Sequence, residues 1–247
     1  MSTQLPKTVN TWLNQLWNNL LPTPCTLCGD PTNNGEIICP PCSANLPINT
    51  IYCPRCALPM PRPEICGQCL RHPPAFDRVI APFIYKPPVD RLIGQLKYNN
   101  RLAAGRTFAK FLEQPIELLN EPLPEALIAI PLHQQRIKQR GFNQSLEIAR
   151  PLAKRIHRPL LTNLVQRHKF TTPQTGLTGA ARRKNLRGAF SITTPLAHRH
   201  LALIDDVMTT GSTAQELAIT LKKAGAARVD IWVVTRVDSK AHKQPHR

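Results

Sequence analysis

The most informative segment of the chain is LALIDDVMTTGST, residues 201–213. Four apolar residues predict a buried strand, Asp205 and Asp206 stand at its end, and hydroxyl residues with one glycine lead into a helix predicted over 212–224. Backbone N–H groups at such a helix N-terminus, approached closely through a glycine, suit a phosphate. Two carboxylates would repel a bare phosphate, but they suit hydroxyl groups or a magnesium ion. A sugar phosphate with a vicinal diol suits both the helix N-terminus and the two carboxylates. The alternative is an ordinary helix cap with solvated aspartates.

Short apolar segments alternate with helical segments around this stretch, which predicts an α/β fold with a mostly parallel sheet flanked by helices. Ligands of such sheets bind at the carboxyl ends of the strands. The predicted strands are 79–85, 127–130, 159–165, 201–204 and 229–235, and the predicted helices are 89–96, 102–119, 143–156 and 212–224.

All eight cysteines lie between residues 25 and 69, as four Cys-x-x-Cys pairs. Two pairs of thiolates complete one tetrahedral zinc site without an open position, so four pairs predict two structural zinc ions. Disulfides and iron–sulfur ligation are the alternatives. Disulfides are disfavoured because no secretion signal is predicted, and an iron–sulfur cluster is disfavoured because the evenly spaced Cys-x-x-Cys pairs are more typical of zinc ribbons. We favour an arrangement in which two pairs that are neighbours in the sequence bind the same zinc ion over one in which the pairs interleave, because short loops close at lower entropy cost. The predicted ligands are Cys25, Cys28, Cys39, Cys42, Cys53, Cys56, Cys66 and Cys69.

Basic residues dominate the charge, with 32 Lys and Arg against 15 Asp and Glu and a formal net charge of +17. Such a charge implies an anionic partner: a phosphate-rich small molecule, a nucleic acid or an acidic protein face. Residues 127–204 hold 14 basic residues and one acidic residue, Glu147. Because Arg suits bidentate phosphate contacts, this region suits pyrophosphate. Most of these charges, taken singly, are solvated surface charges.

The segment 201–213 resembles the phosphoribosyl pyrophosphate (PRPP) signature of type I phosphoribosyltransferases: four apolar residues, two acidic residues, then a loop of small residues. The resemblance implies that Asp205 and Asp206, here called the acid pair, bind the ribose 2- and 3-hydroxyls of PRPP, with magnesium as its cofactor. It also implies that the following loop, here called the phosphate loop, binds the 5-phosphate through Thr209, Thr210, Gly211, Ser212 and Thr213.

Two further segments, PLHQQRIKQRGFNQ at 131–144 and TPQTGLTGAARRKNLRGAF at 172–190, widen the resemblance. Together with the cysteine pairs they are similar to the ComF/GntX family, competence-associated phosphoribosyltransferase-like proteins, over about residues 25–236. That family implies a type I phosphoribosyltransferase-like sheet behind an N-terminal double zinc ribbon. It implies a pyrophosphate loop with Arg136, Arg140 and Gly141, and a mobile hood loop with Gln174, Arg182 and Asn185. Other shared positions are Lys97, Tyr98, Phe142, Asn143, Gln144, Leu177, Ala189 and Phe190.

Two functions follow from the resemblance. In the first, the protein is a phosphoribosyltransferase that binds PRPP with magnesium, transfers the phosphoribosyl group to an unidentified acceptor, and serves DNA uptake or the use of external DNA. In the second, it is a non-catalytic sensor of PRPP or a related nucleotide, or an adaptor for single-stranded DNA or a competence helicase. No residue is assigned as catalytic.

We divide the chain into an N-terminal helix at 1–24, a double zinc ribbon at 25–70, a phosphoribosyltransferase-like domain at 79–236 and a disordered basic tail at 237–247. The helix rests on the apolar spacing of Trp12, Leu13, Leu16, Trp17 and Leu20, and we expect it to pack on the protein. Neither a signal peptide nor a membrane span is predicted. We therefore expect a cytoplasmic protein.

Overall fold

A computed structural model describes residues 24–32, 36–98, 102–169 and 185–238. The predicted N-terminal helix, the part of the hood loop with Gln174 and Arg182, and the tail from residue 239 lie outside the described residues. The helices are α1 (Pro40–Ala44), α2 (Gly67–Arg71), α3 (Val89–Tyr98), α4 (Leu102–Glu117), α5 (Gln134–Arg140), α6 (Gln144–Arg155) and α7 (Ser212–Lys223). The strands are β1 (Arg78–Ile80), β2 (Phe83–Ile84), β3 (Ala126–Ala129), β4 (Val165–Arg167), β5 (Phe190–Ile192), β6 (His200–Met208) and β7 (Arg228–Arg236).

The main sheet is parallel throughout, as predicted, with strand order β1-β7-β6-β3 and β2 paired to the far end of β7. A separate antiparallel pair, β4 and β5, carries the hood loop between its strands. The long central strands β6 and β7 are almost wholly buried, as strands of a sheet covered on both faces are. Their carboxyl ends lie together, because Met208 pairs with Arg236.

Two hydrophobic cores cover the two faces of this sheet. One holds α3, α4 and α6 together with Cys25 and Cys39 from the N-terminal region. The other holds α7 together with Cys53, Cys56, Cys66 and Cys69. The cysteine region is thus in contact with both faces of the larger domain rather than lying beside it.

The strand predicted at 201–204 is longer than expected, because β6 continues to Met208. The acid pair therefore lies within the strand rather than after it, since Val207 and Met208 extend the ladder against Thr235 and Arg236. This corrects the expected position of the two carboxylates. Two more strand residues, Val207 and Met208, separate them from the phosphate loop.

Other boundaries also differ from the predictions. The strand predicted at 79–85 is split into β1 and β2, since Pro82 has no N–H to donate to a ladder. Of the strand predicted at 159–165, only Val165 lies in β4, and Leu160 forms an isolated parallel bridge with Leu127. In the part of the chain that the structure describes, no helix combines the length and the apolar character that a bilayer crossing requires.

Candidate functional site

The phosphate loop joins β6 to the 12-residue helix α7 at the carboxyl edge of the sheet. Gly211 has a left-handed φ of 75°, a conformation in which any residue with a Cβ would be strained. The hydroxyls of Thr210 and Ser212 lie 2.8 Å apart. Because Thr209 and Thr210 are exposed and the helix begins at Ser212, an anion can approach both the hydroxyls and the N-terminal N–H groups of the helix.

The acid pair lies next to this loop, and its two carboxylates have different partners. Asp205 Oδ1 accepts hydrogen bonds from the Ser145 hydroxyl at 2.7 Å and from the backbone N–H of Asp206 at 3.0 Å. Asp206 is only 3% exposed, and its Oδ2 forms an ion pair with Lys97 Nζ at 2.6 Å. Helix α6 therefore holds the first carboxylate and helix α3 the second.

These different surroundings separate the pKa values of the two carboxyls. Burial and the neighbouring charge of Asp206 raise the pKa of Asp205 to about 8. Burial also acts to raise the pKa of Asp206, but the ammonium of Lys97 outweighs it and holds that pKa below its usual value. At neutral pH the free protein thus has one ionised and one protonated carboxyl at this site.

Lys97 is a residue whose role the sequence did not indicate, because it is a position shared with the family but lies far from the acid pair along the chain. Burial lowers its pKa, but the charge of Asp206 raises it more, and the side chain stays protonated. Its position at the end of α3 follows from the apolar face of that helix, where Leu92, Ile93 and Leu96 are fully buried. The lysine next to Leu96 then reaches the edge of the sheet.

The predicted pyrophosphate loop is a short helix, α5, not an open loop. The imidazole of His133 accepts from the N–H of Gln135 at its start, and Gly141 ends it with a φ of 82°. Arg140 donates to the side chain of Gln144, and the Gln144 side chain in turn acts to lower the pKa of Asp206. Arg140 is therefore linked to the acid pair through one side chain.

A third arginine near this edge, Arg167 on β4, was not predicted as a site residue. Burial lowers its pKa, and the positive charge of nearby Arg136 lowers it further, while Asp205 acts in the opposite direction. Arg136 and Arg167 are thus close enough to each other and to Asp205 for their charges to interact. The charge count of 127–204 indicated such a cluster but not its members.

Of the hood residues, Asn185 is described and is exposed. The chain that follows it is attached to the phosphate-loop helix, because the N–H of Gly188 donates to Glu216 on α7 at 2.6 Å. The C-terminal base of the hood loop is therefore fixed beside the candidate site.

The eight cysteines form two groups in sequential order, as predicted. The first cluster is Cys25, Cys28, Cys39 and Cys42, and the second cluster is Cys53, Cys56, Cys66 and Cys69, with the sulfur atoms of each within 4.8 Å of one another. All eight are described, and all are free thiols rather than disulfides. Sulfur separations of 3.5 Å (Cys28–Cys39) and 3.7 Å (Cys56–Cys66) match the edge of about 3.8 Å in a tetrahedron with Zn–S bonds of about 2.3 Å. Both groups therefore fit a structural zinc ion.

Zinc analysis of the purified protein is expected to give two ions per chain, four thiolates to each. The Cys28→Ser variant, which removes an exposed ligand of the first cluster, is expected to retain about one ion. Mass spectrometry of the unreduced protein is the control. Four disulfides and no metal would contradict the assignment.

Comparisons with known proteins agree with this architecture. A family model described as a double zinc ribbon domain matches residues 16–70. DNA utilization protein YhgH of Escherichia coli O157:H7 is 36% identical over 224 residues, covering 87% of this chain and 98% of that protein. Competence protein F of Haemophilus influenzae is 34% identical over 193 residues, covering 75% of this chain and 84% of that protein.

Two solved structures overlap parts of the fold. Glutamine PRPP amidotransferase from B. subtilis, complexed with ADP and GMP, aligns with a TM-score of 0.39 and 16% identity, covering 57% of this chain and 30% of that chain. Purine phosphoribosyltransferase from Pyrococcus horikoshii aligns with a TM-score of 0.24 and 18% identity, covering 60% of this chain and 82% of that chain. We base the family assignment on the relatives in sequence, which match over most of their length and of this chain. The chain belongs to the ComF/GntX family of competence and DNA-utilization proteins, with an N-terminal double zinc ribbon and a parallel α/β sheet.

Proposed function

We propose that this protein binds PRPP with magnesium at the carboxyl edge of its sheet and transfers the phosphoribosyl group to an acceptor in the use of external DNA. The observation that carries the proposal is the acid pair on β6, followed directly by a phosphate loop at the N-terminus of α7. One end of this arrangement suits a phosphate and the other suits a diol. A ribose 5-phosphate has both groups.

The acid pair also suits a divalent cation. Asp205 is mostly protonated at neutral pH, and a nearby dication would stabilise its carboxylate form. Asp205 and Asp206 would hold magnesium together with the ribose hydroxyls. When bound, the ion would neutralise charge on the pyrophosphate group.

The basic residues beside the acid pair suit the pyrophosphate that leaves during transfer. Arg140 is oriented by Gln144, and the charges of Arg136 and Arg167 interact. Arginine pairs with phosphate oxygens through two parallel hydrogen bonds, so this cluster can stabilise the charge that develops on pyrophosphate as its bond to ribose C1 breaks and the acceptor bonds to C1. The protein's part is then to hold the two ends of PRPP and to stabilise the leaving group.

A turnover assay tests the catalytic part of this proposal. We expect pyrophosphate release from PRPP in the presence of magnesium and a suitable free base, measured by phosphorus NMR for each common nucleobase in turn. The Asp205→Asn/Asp206→Asn variant is the control for contaminating activity. Tight PRPP binding without release for any base would favour the sensor function.

The second candidate, an adaptor for single-stranded DNA, is favoured by one observation. Residues 127–204 carry 14 basic residues and one acidic residue, more charge than one pyrophosphate requires. The relatives named for DNA utilization and competence agree with a nucleic-acid partner. This function is compatible with PRPP binding, because the acid pair and the phosphate loop would remain free for the smaller ligand.

If the basic surface binds DNA, affinity for an unstructured oligothymidylate is expected to fall by about three hundredfold between 50 and 200 mM salt for six neutralised phosphates. The reason is the release of condensed counterions from the strand. Fluorescence anisotropy at several salt concentrations measures the slope. Affinity that does not change with salt would exclude this use of the charge.

A further inference from the structure

A single buried arginine lies between the second cluster and the phosphate loop. Arg236, the last residue of β7, is 4% exposed. Its Nε donates to the carbonyl of Cys56 at 2.9 Å, and its Nη1 donates to the carbonyls of Met208 at 3.0 Å and Thr209. It also donates to the carbonyl of Val237 at 2.9 Å. One guanidinium therefore joins a metal-ligand turn to the two residues at which β6 becomes the phosphate loop.

The charge of Arg236 is matched to the second cluster. Its guanidinium is buried, and its Nε contacts the turn that carries the ligand Cys56. Four thiolates around one zinc ion carry a net charge of −2, so the loaded cluster is an anion beside this cation. A buried charge is costly unless it is paired and hydrogen-bonded. Loss of the cluster's negative charge would therefore weaken the hold of Arg236 on its carbonyls.

Packing links the same two parts of the molecule. The four cysteines of the second cluster share a core with Phe76, Met208 and Ala214. Phe76 and Met208 also lie against Gly211 of the phosphate loop, and the N–H of Ala75 donates to Gln215 on α7 at 2.8 Å. The segment leaving the second cluster is thus packed under the loop and tied to its helix.

The first cluster provides an internal contrast. Cys25 and Cys39 pack in the core on the opposite face of the sheet, with residues of α3 and α4. A loss of order there could reach the acid pair through Lys97 on α3, but none of these core contacts touches the phosphate loop itself. The two metal sites therefore differ in their connection to the ligand site.

We propose that Arg236 is a positioning residue that couples the second cluster to the phosphate loop, so that metal in the second cluster controls the loop's order and its affinity for phosphate. The effect on PRPP rests on the proposed function, but the effect on loop order does not. The first cluster has no such control. The protein would bind its ligand more tightly while the second cluster holds zinc.

The test compares Cys66→Ser with Cys39→Ser in the full chain. The two cysteines occupy equivalent positions in their clusters, and each is 3% exposed. Zinc content, hydrogen–deuterium exchange of peptides covering 207–213, and calorimetry with PRPP and magnesium are measured on both. Each variant is expected to lose about one zinc ion. We expect only Cys66→Ser to exchange faster at 207–213, by about tenfold or more, and to bind PRPP correspondingly less tightly. Equal exchange at 207–213 in the two variants would overturn the proposal.

Arg236→Gln tests the coupling residue directly, with Arg228→Gln as its control. Arg228 begins the strand that Arg236 ends, and it pairs with Glu121 and Asp230 at the opposite edge of the sheet. Arg236→Gln is expected to speed exchange at 207–213 and to weaken PRPP binding about tenfold, the effect of losing a charged hydrogen-bond donor. Arg228→Gln leaves both unchanged.

Arg236→Lys, which keeps the charge, is expected to give an intermediate result and serves if the glutamine variant does not fold. Exchange at 207–213 that matches the wild type in both Arg236 variants overturns the proposal. If the wild-type protein binds no PRPP, the proposed function fails, while exchange at 207–213 still tests the coupling.

Discussion

The Asp205→Asn/Asp206→Asn variant is expected to bind PRPP at least about a hundredfold less tightly than the wild type, the cost of two hydrogen bonds to charged groups. Both carboxylates are lost, and with them the groups that face the diol and the cation. Asparagine has the same shape and keeps the hydrogen bond from Ser145, so the fold is expected to persist, at a lower stability because the ion pair of Asp206 with Lys97 is lost. Calorimetry in the presence of magnesium measures the affinity, and circular dichroism checks the fold.

Asp230→Asn is the matched control for the acid pair. Asp230 is also a buried strand carboxylate, 2% exposed, but it pairs with His200 and Arg228 at the amino edge of the sheet. Its replacement is expected to lower stability without changing PRPP affinity. Wild-type affinity in the double variant would show that the site has been assigned wrongly.

Lys97→Met is expected to lower the free energy of unfolding at pH 7.5 by about 3 kcal/mol, at the lower end of the range for breaking a buried ion pair. The lower end applies because the Lys97 side chain is 24% exposed, while that of Asp206 is 5% exposed. The loss arises because Asp206 would keep its charge in a buried place without a cation. Urea unfolding measures the difference.

The same variant has a predicted pH dependence. In the wild type the pKa of Asp206 lies below its unfolded value, so its stabilising contribution is present above about pH 4 and is lost as the pH falls through the folded pKa. Without Lys97, burial raises that pKa above the unfolded value, and Asp206 then destabilises the variant increasingly as the pH rises. The difference between wild type and variant is therefore expected to shrink between pH 7.5 and pH 5.

A double-mutant cycle separates the ion pair from the packing of the lysine stem. Adding Asp206→Asn to Lys97→Met removes the unpaired charge, and the double variant is expected to recover much of the lost stability. A cycle with no interaction energy, or a stability difference that is the same at pH 5 and pH 7.5, would contradict the pairing of Lys97 with Asp206.

Features encoded by local pattern could be predicted from the sequence. Apolar runs between helical segments gave the parallel sheet, and the even spacing of Cys-x-x-Cys pairs gave two sequential clusters. The acid pair and the phosphate loop are consecutive in the chain, so their proximity follows from their order. Gly211 was expected for close approach, and its left-handed φ agrees with that role.

Features that depend on contacts between distant segments could not be predicted. The partner of Asp206 is a lysine on α3, and the carbonyls held by Arg236 belong to a cysteine turn and to the end of β6. Lysine and arginine have no periodic or spacing pattern that reveals such partners, because tertiary packing alone brings them together. The strand extension to Met208 has the same origin, since it requires the length of β7.

Calorimetric titration of the wild-type protein with PRPP and magnesium, at pH 7 in two buffers of different ionisation enthalpy, tests the central claim most directly. Because burial and the charge of Asp206 raise the pKa of Asp205 in the free protein, binding of a dication at the acid pair is expected to release a proton. We predict saturable binding whose heat differs between the two buffers in the sense of proton release, and which disappears when magnesium is omitted. No saturable heat at PRPP concentrations up to about 1 mM would contradict the account.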